Sequence, residues 1–174
     1  MGRNQVMDGP ATTTCKTGSI ITFGEIMLRL SKHCGQRLFT GYAFDAAYGG
    51  SEANVAISLA QLGDDVEYVT RVPNNPIGRA ALMRLRELGL NVSHVVVGGK
   101  RLGTYYFEPS AGMRSSQVVY DRDDSSFNTL EHGDIDWQTI FQNVSLFYFF
   151  FITCATTQDA LDTTMDAVRT AFDS

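Results

Sequence analysis

The stretch Gly49-Gly50-Ser51-Glu52-Ala53-Asn54-Val55-Ala56 lies where a predicted strand gives way to a helix, and it decides the class of fold. Its two glycines break the preceding segment, and Ser51 is predicted to be the N-cap of the helix that follows. Apolar residues then recur at helical spacing as far as Gly63, which favours a helix end there. A strand, a glycine hinge and a helix in this order are typical of an α/β layered domain.

The same stretch is a candidate ligand-binding turn. Glycines before a helix let the backbone approach a ligand and leave free N–H groups at the helix start. The pattern matches neither the dinucleotide fingerprint nor the phosphate loop with its Gly-Lys-Ser/Thr ending, so a purely structural turn is the alternative. Asn54 favours a ligand, because its amide can both donate and accept hydrogen bonds toward a polyol.

Outward from this turn, the pattern predicts alternating strands and helices. Upstream, the apolar residues of 20–30 have the pattern of one strand entering a core. Residues 31–48 are more polar and are predicted to form an exposed sheet or loop. Downstream, a small antiparallel hairpin is inserted into a β, α, β, α order. The predicted downstream elements are a strand at 66–72, a helix ending at Gly89, a strand at 94–97, a hairpin of 104–108 with 117–121, a helical segment within 129–142, a buried parallel strand at 146–152 and a helix at 158–172.

The hairpin carries a second candidate site. Tyr105 lies on one arm, and the period of two places Tyr120 and Arg122 on one face of the other arm. Aromatic residues on strands are commonly packing residues, and a surface arginine is commonly solvated. The functional alternative is specific, because a guanidinium flanked by tyrosine hydroxyls suits a sugar that bears a carboxylate.

Other polar residues give weaker signals. His33, His94 and His132 have no acid or cysteine at ligand spacing and are predicted to be surface residues. Asp123-Asp124 could hold a metal, but adjacent acids in a serine-rich turn are more often solvated. Glu25 could line a polar cleft or end a strand, and the sequence leaves both open.

The composition restricts the function classes. A formal net charge of −5, with scattered basic residues, argues against nucleic acid as a partner. The three cysteines form no CxxC pair, so neither a disulfide framework nor a zinc site is expected, and a cytoplasmic location fits best. Residues 1–19 are polar and are predicted to be a mobile tail. The apolar run at 146–152 is too short to cross a membrane as a helix.

Together these residues resemble the ribokinase/phosphofructokinase-B family of carbohydrate kinases. Within it, the Tyr-x-Arg hairpin makes the chain similar to the 2-keto-3-deoxygluconate kinases. The resemblance runs from about Ile20 to the end of the chain. It is carried by Gly24-Glu25-Ile26-Met27-Leu28-Arg29-Leu30, by residues 49–56, by Arg71-Val72-Pro73-Asn74-Asn75-Pro76-Ile77-Gly78, and by Gly103-Thr104-Tyr105-Tyr106-Phe107-Glu108 with Val119-Tyr120-Asp121-Arg122.

The resemblance implies a three-layer α/β/α core and a small β lid that closes over the sugar. Residues 20–174 would be the N-terminal half of such a kinase, with the lid drawn from about residues 31–46 and 95–123. In the family, ATP with Mg²⁺ phosphorylates the terminal hydroxyl of a sugar acid such as 2-keto-3-deoxygluconate. The lid often also forms a homodimer contact.

The family's substrate-binding positions transfer to this sequence one by one. Asp121 would contribute at most through its backbone. The implied substrate-binding residues are Gly50, Ser51, Glu52, Ala53, Asn54, Tyr105, Tyr120, Asp121 and Arg122.

Two features depart from the family pattern. The Gly-Ala-Gly-Asp motif that carries the catalytic aspartate is absent, so no catalytic residue and few ATP or Mg²⁺ ligands are expected in this chain. Phe150-Phe151 stands where these kinases usually have Ser-Gly, and this bulk could crowd the cleft. Two hypotheses therefore stand: the sugar-binding half of a sugar-acid kinase, or a truncated, non-catalytic pseudo-kinase that binds sugar or a partner. A different α/β nucleotide enzyme is disfavoured, because its fingerprints are missing.

Overall fold

The computed structural model describes residues 18–173, which form strands and helices in mixed order. The strands are β1 (Ser19–Phe23), β2 (Met27–Ser31), β3 (Asp45–Gly49), β4 (Val66–Val69), β5 (Arg71–Val72), β6 (Val96–Val97), β7 (Gly103–Glu108), β8 (Gln117–Asp121) and β9 (Val144–Phe149). The helices are α1 (Ser51–Leu62), α2 (Pro76–Glu87), α3 (Trp137–Ile140), α4 (Phe151–Cys154) and α5 (Gln158–Asp173). Of the predicted tail, residues 1–17 lie outside the described residues, and Ser19 already belongs to β1.

A parallel sheet with the order β4-β1-β9 forms the middle layer of the core. On one of its faces, Val66 and Tyr68 pack in a buried cluster with residues of α1 and α2. On the other face, Ile21 and Phe23 pack with α3, α5 and the turn around Phe127. Helices therefore cover both faces, and the predicted three-layer α/β/α core is confirmed.

A second sheet with the order β3-β2-β7-β8 lies beside the core, and we call it the lid sheet. Its β2 and β7 are parallel, while β3 and β8 run antiparallel to their neighbours. The predicted hairpin is confirmed as β7 and β8, in a register that pairs Tyr105 with Tyr120. The four strands of the lid sheet fall between residues 27 and 49 and between residues 103 and 121. The strand expected at 94–97 is β6, which pairs with β5 and does not belong to the lid sheet.

The single strand expected over residues 20–30 is wrong. The chain leaves the core sheet after Phe23, bends through residues 24–26 and enters the lid sheet as β2. At the bend, the Tyr68 hydroxyl donates to the carbonyl of Gly24 at 2.8 Å. A Cβ on Gly24 would lie 2.3 Å from Cδ of Glu52, so glycine is needed where helix α1 approaches this bend. Apolar residues lie on both sides of Gly24-Glu25, and this interruption of the alternation marks the change of sheet.

The buried strand expected at 146–152 is also corrected. β9 ends at Phe149, residues 151–154 form the short helix α4, and Leu146 is 49% exposed. β9 pairs only with β1 in the described part of the chain, so it is an edge strand. The predicted helical segment at 129–142 is corrected, because α3 begins only at Trp137, directly after its N-cap Asp136. The strand expected at 66–72 is interrupted at Thr70, between β4 and β5.

Candidate functional site

A cavity of about 300 Å³ lies between the start of α1 and one face of the lid sheet, a volume suited to a small-molecule ligand. Glu25 lies in its wall, at the bend between the two sheets. Residues that line it from the core are Gly50, Ser51, Glu52, Asn54, Phe150 and Thr153. Residues that line it from the lid sheet are Met27, Arg29, Tyr105, Phe107, Tyr120 and Arg122.

The helix start supplies the polar end of this cavity. The sequence predicts Ser51 as the N-cap of α1, but the N-cap is Gly50. The Ser51 hydroxyl donates instead to the neighbouring Glu52 carboxylate at 2.6 Å. A Cβ on Gly50 would lie 2.2 Å from the carbonyl oxygen of Glu25, so only glycine fits there. Around Gly49, the Tyr105 hydroxyl and Oδ1 of Asn54 converge, at 3.3 and 3.9 Å from where a Cβ would stand. This end of the cavity can therefore exchange hydrogen bonds with hydroxyl groups.

Glu52 lines the cavity, but its carboxylate is already occupied. The side chain is 2% exposed. Its Oε1 accepts from the main-chain N–H of Phe150 at 3.2 Å and from the Thr153 hydroxyl, while Oε2 accepts from Ser51. Glu52 therefore fixes the cavity floor by joining α1 to the segment that follows β9.

Two tyrosines form the lid wall. Arg29 pairs with Tyr105 across β2 and β7, and Tyr105 pairs with Tyr120 across β7 and β8, so these three residues project from one face of the lid sheet. The rings of Tyr105 and Tyr120 lie 5.8 Å apart between centroids. No ion pair or hydrogen bond is assigned to Arg29 within residues 18–173.

Arg122 follows β8 and pairs with a buried acid. Its Nη2 forms an ion pair with Oε2 of Glu25, whose side chain is 4% exposed. The Ser125 hydroxyl donates to Oε1 of the same carboxylate at 2.6 Å. Burial raises the pKa of the Glu25 carboxyl, and the opposing effects of Arg122 and Ser125 offset this only in part. The Nε–H of Arg122 is buried and finds no acceptor within residues 18–173.

The cavity brings together most of the sequence-predicted site residues. Gly50, Ser51, Glu52, Asn54, Tyr105, Tyr120 and Arg122 all line it. Ala53 does not, because it is fully buried in the core between α1 and the sheet. The Asp121 side chain does not line it either, since it pairs with Arg101 at 2.8 Å.

The sequence does not indicate several of the residues that line the cavity. Arg29 and Phe107 obey the same period of two as Tyr105, so strand alternation could have identified them once the pairing was known. Thr153 carries no local signal. Phe150, which the sequence analysis marked as bulky, does line the cavity and is 40% exposed.

The remaining polar candidates lie in ion pairs or turns. His33 lies 3.0 Å from Asp45, His94 pairs with Glu67 and His132 with Asp166, so all three histidines have acidic partners that the sequence spacing did not indicate. Asp124 occupies a turn with a φ of 53°. Among residues 18–173, no group of three or more His, Cys, Asp or Glu side chains is arranged to hold a metal ion. No helix within this range is long and apolar enough to cross a membrane.

Comparison with known proteins identifies relatives that match nearly the whole chain. The model of the pfkB family of carbohydrate kinases matches residues 17–171. The 2-dehydro-3-deoxygalactonokinase of Haloferax volcanii is 30% identical over 158 residues, which are 91% of this chain and 49% of that protein. The chain thus spans about half the length of this curated relative.

Solved structures show the same fold. The crystal structure of 2-dehydro-3-deoxygluconokinase from Thermotoga maritima superposes with a TM-score of 0.88 at 42% identity, over 90% of this chain and 48% of that one. A sugar kinase from Pyrococcus horikoshii, solved in complex with ATP, superposes with a TM-score of 0.76 over 86% of this chain and 48% of that one. At 22% identity, the second likeness shows the fold alone.

Proposed function

The chain belongs to the pfkB family of carbohydrate kinases, and from that membership we propose that its cavity binds a sugar acid such as 2-keto-3-deoxygluconate. The proposed reaction is ATP-dependent phosphorylation of the terminal hydroxyl, for which this chain supplies the sugar-binding half. The matched relatives named above, from Haloferax and Thermotoga, carry the names of kinases for keto-deoxy sugar acids.

One observation carries the choice of a sugar acid. Arg122 lines the cavity with a side chain that is 19% exposed, so its guanidinium is a cation that a ligand in the cavity can reach. A ligand carboxylate would form charge-assisted hydrogen bonds with this guanidinium. The hydroxyls of Tyr105 and Tyr120 would flank the same carboxylate, and Gly50 and Asn54 would bind the sugar hydroxyls.

We further propose that few of the residues that bind ATP and Mg²⁺ belong to this chain. The part of the chain that the structure describes holds no acidic cluster for a cation, and the sequence holds no phosphate loop and no Gly-Ala-Gly-Asp motif. We therefore assign to these 174 residues the binding and orientation of the sugar. In this assignment the proton acceptor for the sugar hydroxyl, and the groups that steady the transferring phosphate, come from outside residues 1–174.

Cytoplasmic location and a homodimer through the lid sheet belong to the same proposal. Apolar side chains on the lid support a contact surface there, since Tyr42 is fully exposed, Phe39 is 79% exposed and Val119 is 51% exposed. Light scattering of Val119→Lys beside the wild type tests this contact, and an unchanged mass in the variant would place any association elsewhere.

A thermal-shift screen tests the proposed substrate class. We expect 2-keto-3-deoxygluconate to raise the melting temperature, because a ligand that binds only the folded state stabilises it by mass action. Ribose and fructose serve as neutral controls and are expected to have little effect. Stabilisation by ribose but by no sugar acid would move the chain to another branch of the family.

The absent catalytic motif favours a second candidate, a non-catalytic protein that binds sugar without phosphoryl transfer. An assay of ATP consumption with 2-keto-3-deoxygluconate and Mg²⁺ tests an expectation that both candidates share. We expect no sugar-dependent turnover from the 174-residue chain. Turnover by this chain would contradict the assignment of the catalytic groups to other residues.

A further inference from the structure

Glu25 is a buried acid at the point where the chain passes from the core sheet to the lid sheet. Its side chain is 4% exposed, yet it lies in the wall of the cavity. A buried carboxylate is costly unless a partner compensates its charge, so a carboxylate at this position needs a reason beyond packing.

The surroundings of Glu25 are built to hold a carboxylate. The Ser125 hydroxyl donates to Oε1 at 2.6 Å, and Arg122 pairs with Oε2. Gly103 opens β7 directly beside it, and a Cβ there would lie 2.4 Å from Oε1. The lid sheet and the loop after β8 therefore converge on one carboxylate, which lies in the bend between the sheets.

This arrangement restrains one arginine. The Arg122 side chain is 19% exposed, and its Nη2 is held by Glu25. Its Nε–H remains buried and unpaired within residues 18–173. An arginine side chain has several rotatable bonds, so a fixed guanidinium loses less entropy when a ligand binds than a free one does.

We propose, on the premise that the cavity binds a sugar acid, that Glu25 is a positioning residue that holds the Arg122 guanidinium against the cavity wall for the ligand carboxylate. Glu25 does not contact the sugar in this scheme. It acts through Arg122, so its effect on binding depends on the presence of Arg122.

A double-mutant cycle tests this dependence by calorimetric titration with 2-keto-3-deoxygluconate. The proteins are the wild type, Glu25→Ala, Arg122→Ala and the double variant. We expect Glu25→Ala to weaken binding about tenfold in the wild-type background and to have no further effect once Arg122 is removed. Equal weakening in both backgrounds would show a structural role only. Unchanged or tighter binding by Glu25→Ala would show that Glu25 does not position Arg122, and would overturn the proposal.

A second variant guards against loss of folding. Glu25→Gln keeps the size of the side chain and an oxygen for Ser125 but removes the charge that holds Arg122. We expect it to melt cooperatively and to weaken binding as Glu25→Ala does, and binding at wild-type strength would also overturn the proposal.

The Arg71–Asp134 ion pair provides the matched control. These residues are 2.9 Å apart, their side chains are 16% and 29% exposed, and neither lines the cavity. Their alanine variants are expected to leave sugar-acid affinity unchanged, and a comparable loss there would mark a general effect of breaking ion pairs. If the wild type itself binds no sugar acid, the proposed function fails; if the wild type binds and Glu25→Ala binds equally well, only this inference fails.

Discussion

The main-chain N–H of Phe150 donates to the carboxylate of Glu52 at 3.2 Å, although 98 residues separate them in sequence. The sheet pairing of β9 stops at Phe149, and this bond joins the next residue to the first turn of α1. The Thr153 hydroxyl donates to the same carboxylate oxygen. The floor of the cavity therefore depends on a single buried side chain.

Replacing Glu52 should destabilise the fold. Glu52→Ala leaves the Phe150 N–H and the Thr153 hydroxyl without their acceptor, so we expect the free energy of unfolding to fall by about 1–3 kcal/mol. Urea denaturation measures it. Glu87→Ala is the control, because Glu87 is an exposed helical acid that pairs with Arg84 at 3.2 Å. Equal midpoints for the two variants would contradict the structural role of Glu52.

Replacing Arg122 should weaken sugar-acid binding. We expect Arg122→Ala to lose about 1.5–3 kcal/mol of binding free energy through the missing charge-assisted hydrogen bonds. Arg122→Lys should recover only part of it, since an ammonium lacks the planar fork of donors. Calorimetry with 2-keto-3-deoxygluconate gives both values. Arg101→Ala removes a neighbouring arginine that does not line the cavity, and a similar loss there would remove Arg122 from its assigned role.

The raised pKa of Glu25 predicts a pH dependence of stability. The folded chain holds the Glu25 proton above the ordinary pKa of 4.5, so its contribution to the free energy of unfolding falls as pH rises from 4.5 to the raised value. Besides Arg122 and Ser125, the charge of Glu52 acts on this carboxyl and raises its pKa further. Above the raised value the contribution is constant.

The difference in unfolding free energy between the wild type and Glu25→Gln isolates this effect. Urea titrations from about pH 4 to pH 8 should show that difference decreasing with pH. The lowered pKa values of Asp136 and Asp166 act below pH 3.8, outside this range, and the raised pKa of His132 affects both proteins equally and cancels. A difference that is flat or rises with pH would contradict the prediction.

The exposed edge strand predicts self-association of the 174-residue chain. β9 presents unpaired backbone groups beside Leu146, which is 49% exposed, and such edges invite pairing with other chains. Leu146→Lys should reduce the mass seen by light scattering. Leu62→Lys changes a leucine that is 82% exposed at the end of α1, outside the strands, and should have little effect. A monodisperse wild-type monomer would refute the prediction.

The local signals in the sequence were enough to locate α1, α2, α5 and the hairpin. Gly63 takes a φ of 103° at the end of α1, and the Asn75 side chain caps α2 by accepting from the Gly78 N–H at 2.9 Å. Both are interactions within a few residues. The period of two likewise placed Tyr120 and Arg122 on one face, and both line the cavity.

Long-range features were beyond the sequence. Residues 20–30 break their alternation at Gly24-Glu25, but nothing local shows that the residues on the two sides belong to different sheets. Glu25 meets Ser125 across 100 residues, so nothing near either one indicates the contact. An apolar run such as 146–152 also has the same composition whether it lies in the middle or at the edge of a sheet.

The bend at residues 24–26 and the turn at Gly49-Gly50 join the core to the lid sheet, and the same segments contribute Glu25 and Gly50 to the cavity wall. Evolution of this protein toward a new ligand is therefore unevenly constrained. A substitution at either joint alters the angle between the sheets together with the chemistry of the wall. Substitutions at mid-strand positions such as Arg29 and Tyr120 alter only the chemistry of the cavity wall. Residues on this face of the lid sheet can therefore change with the fewest consequences for the fold.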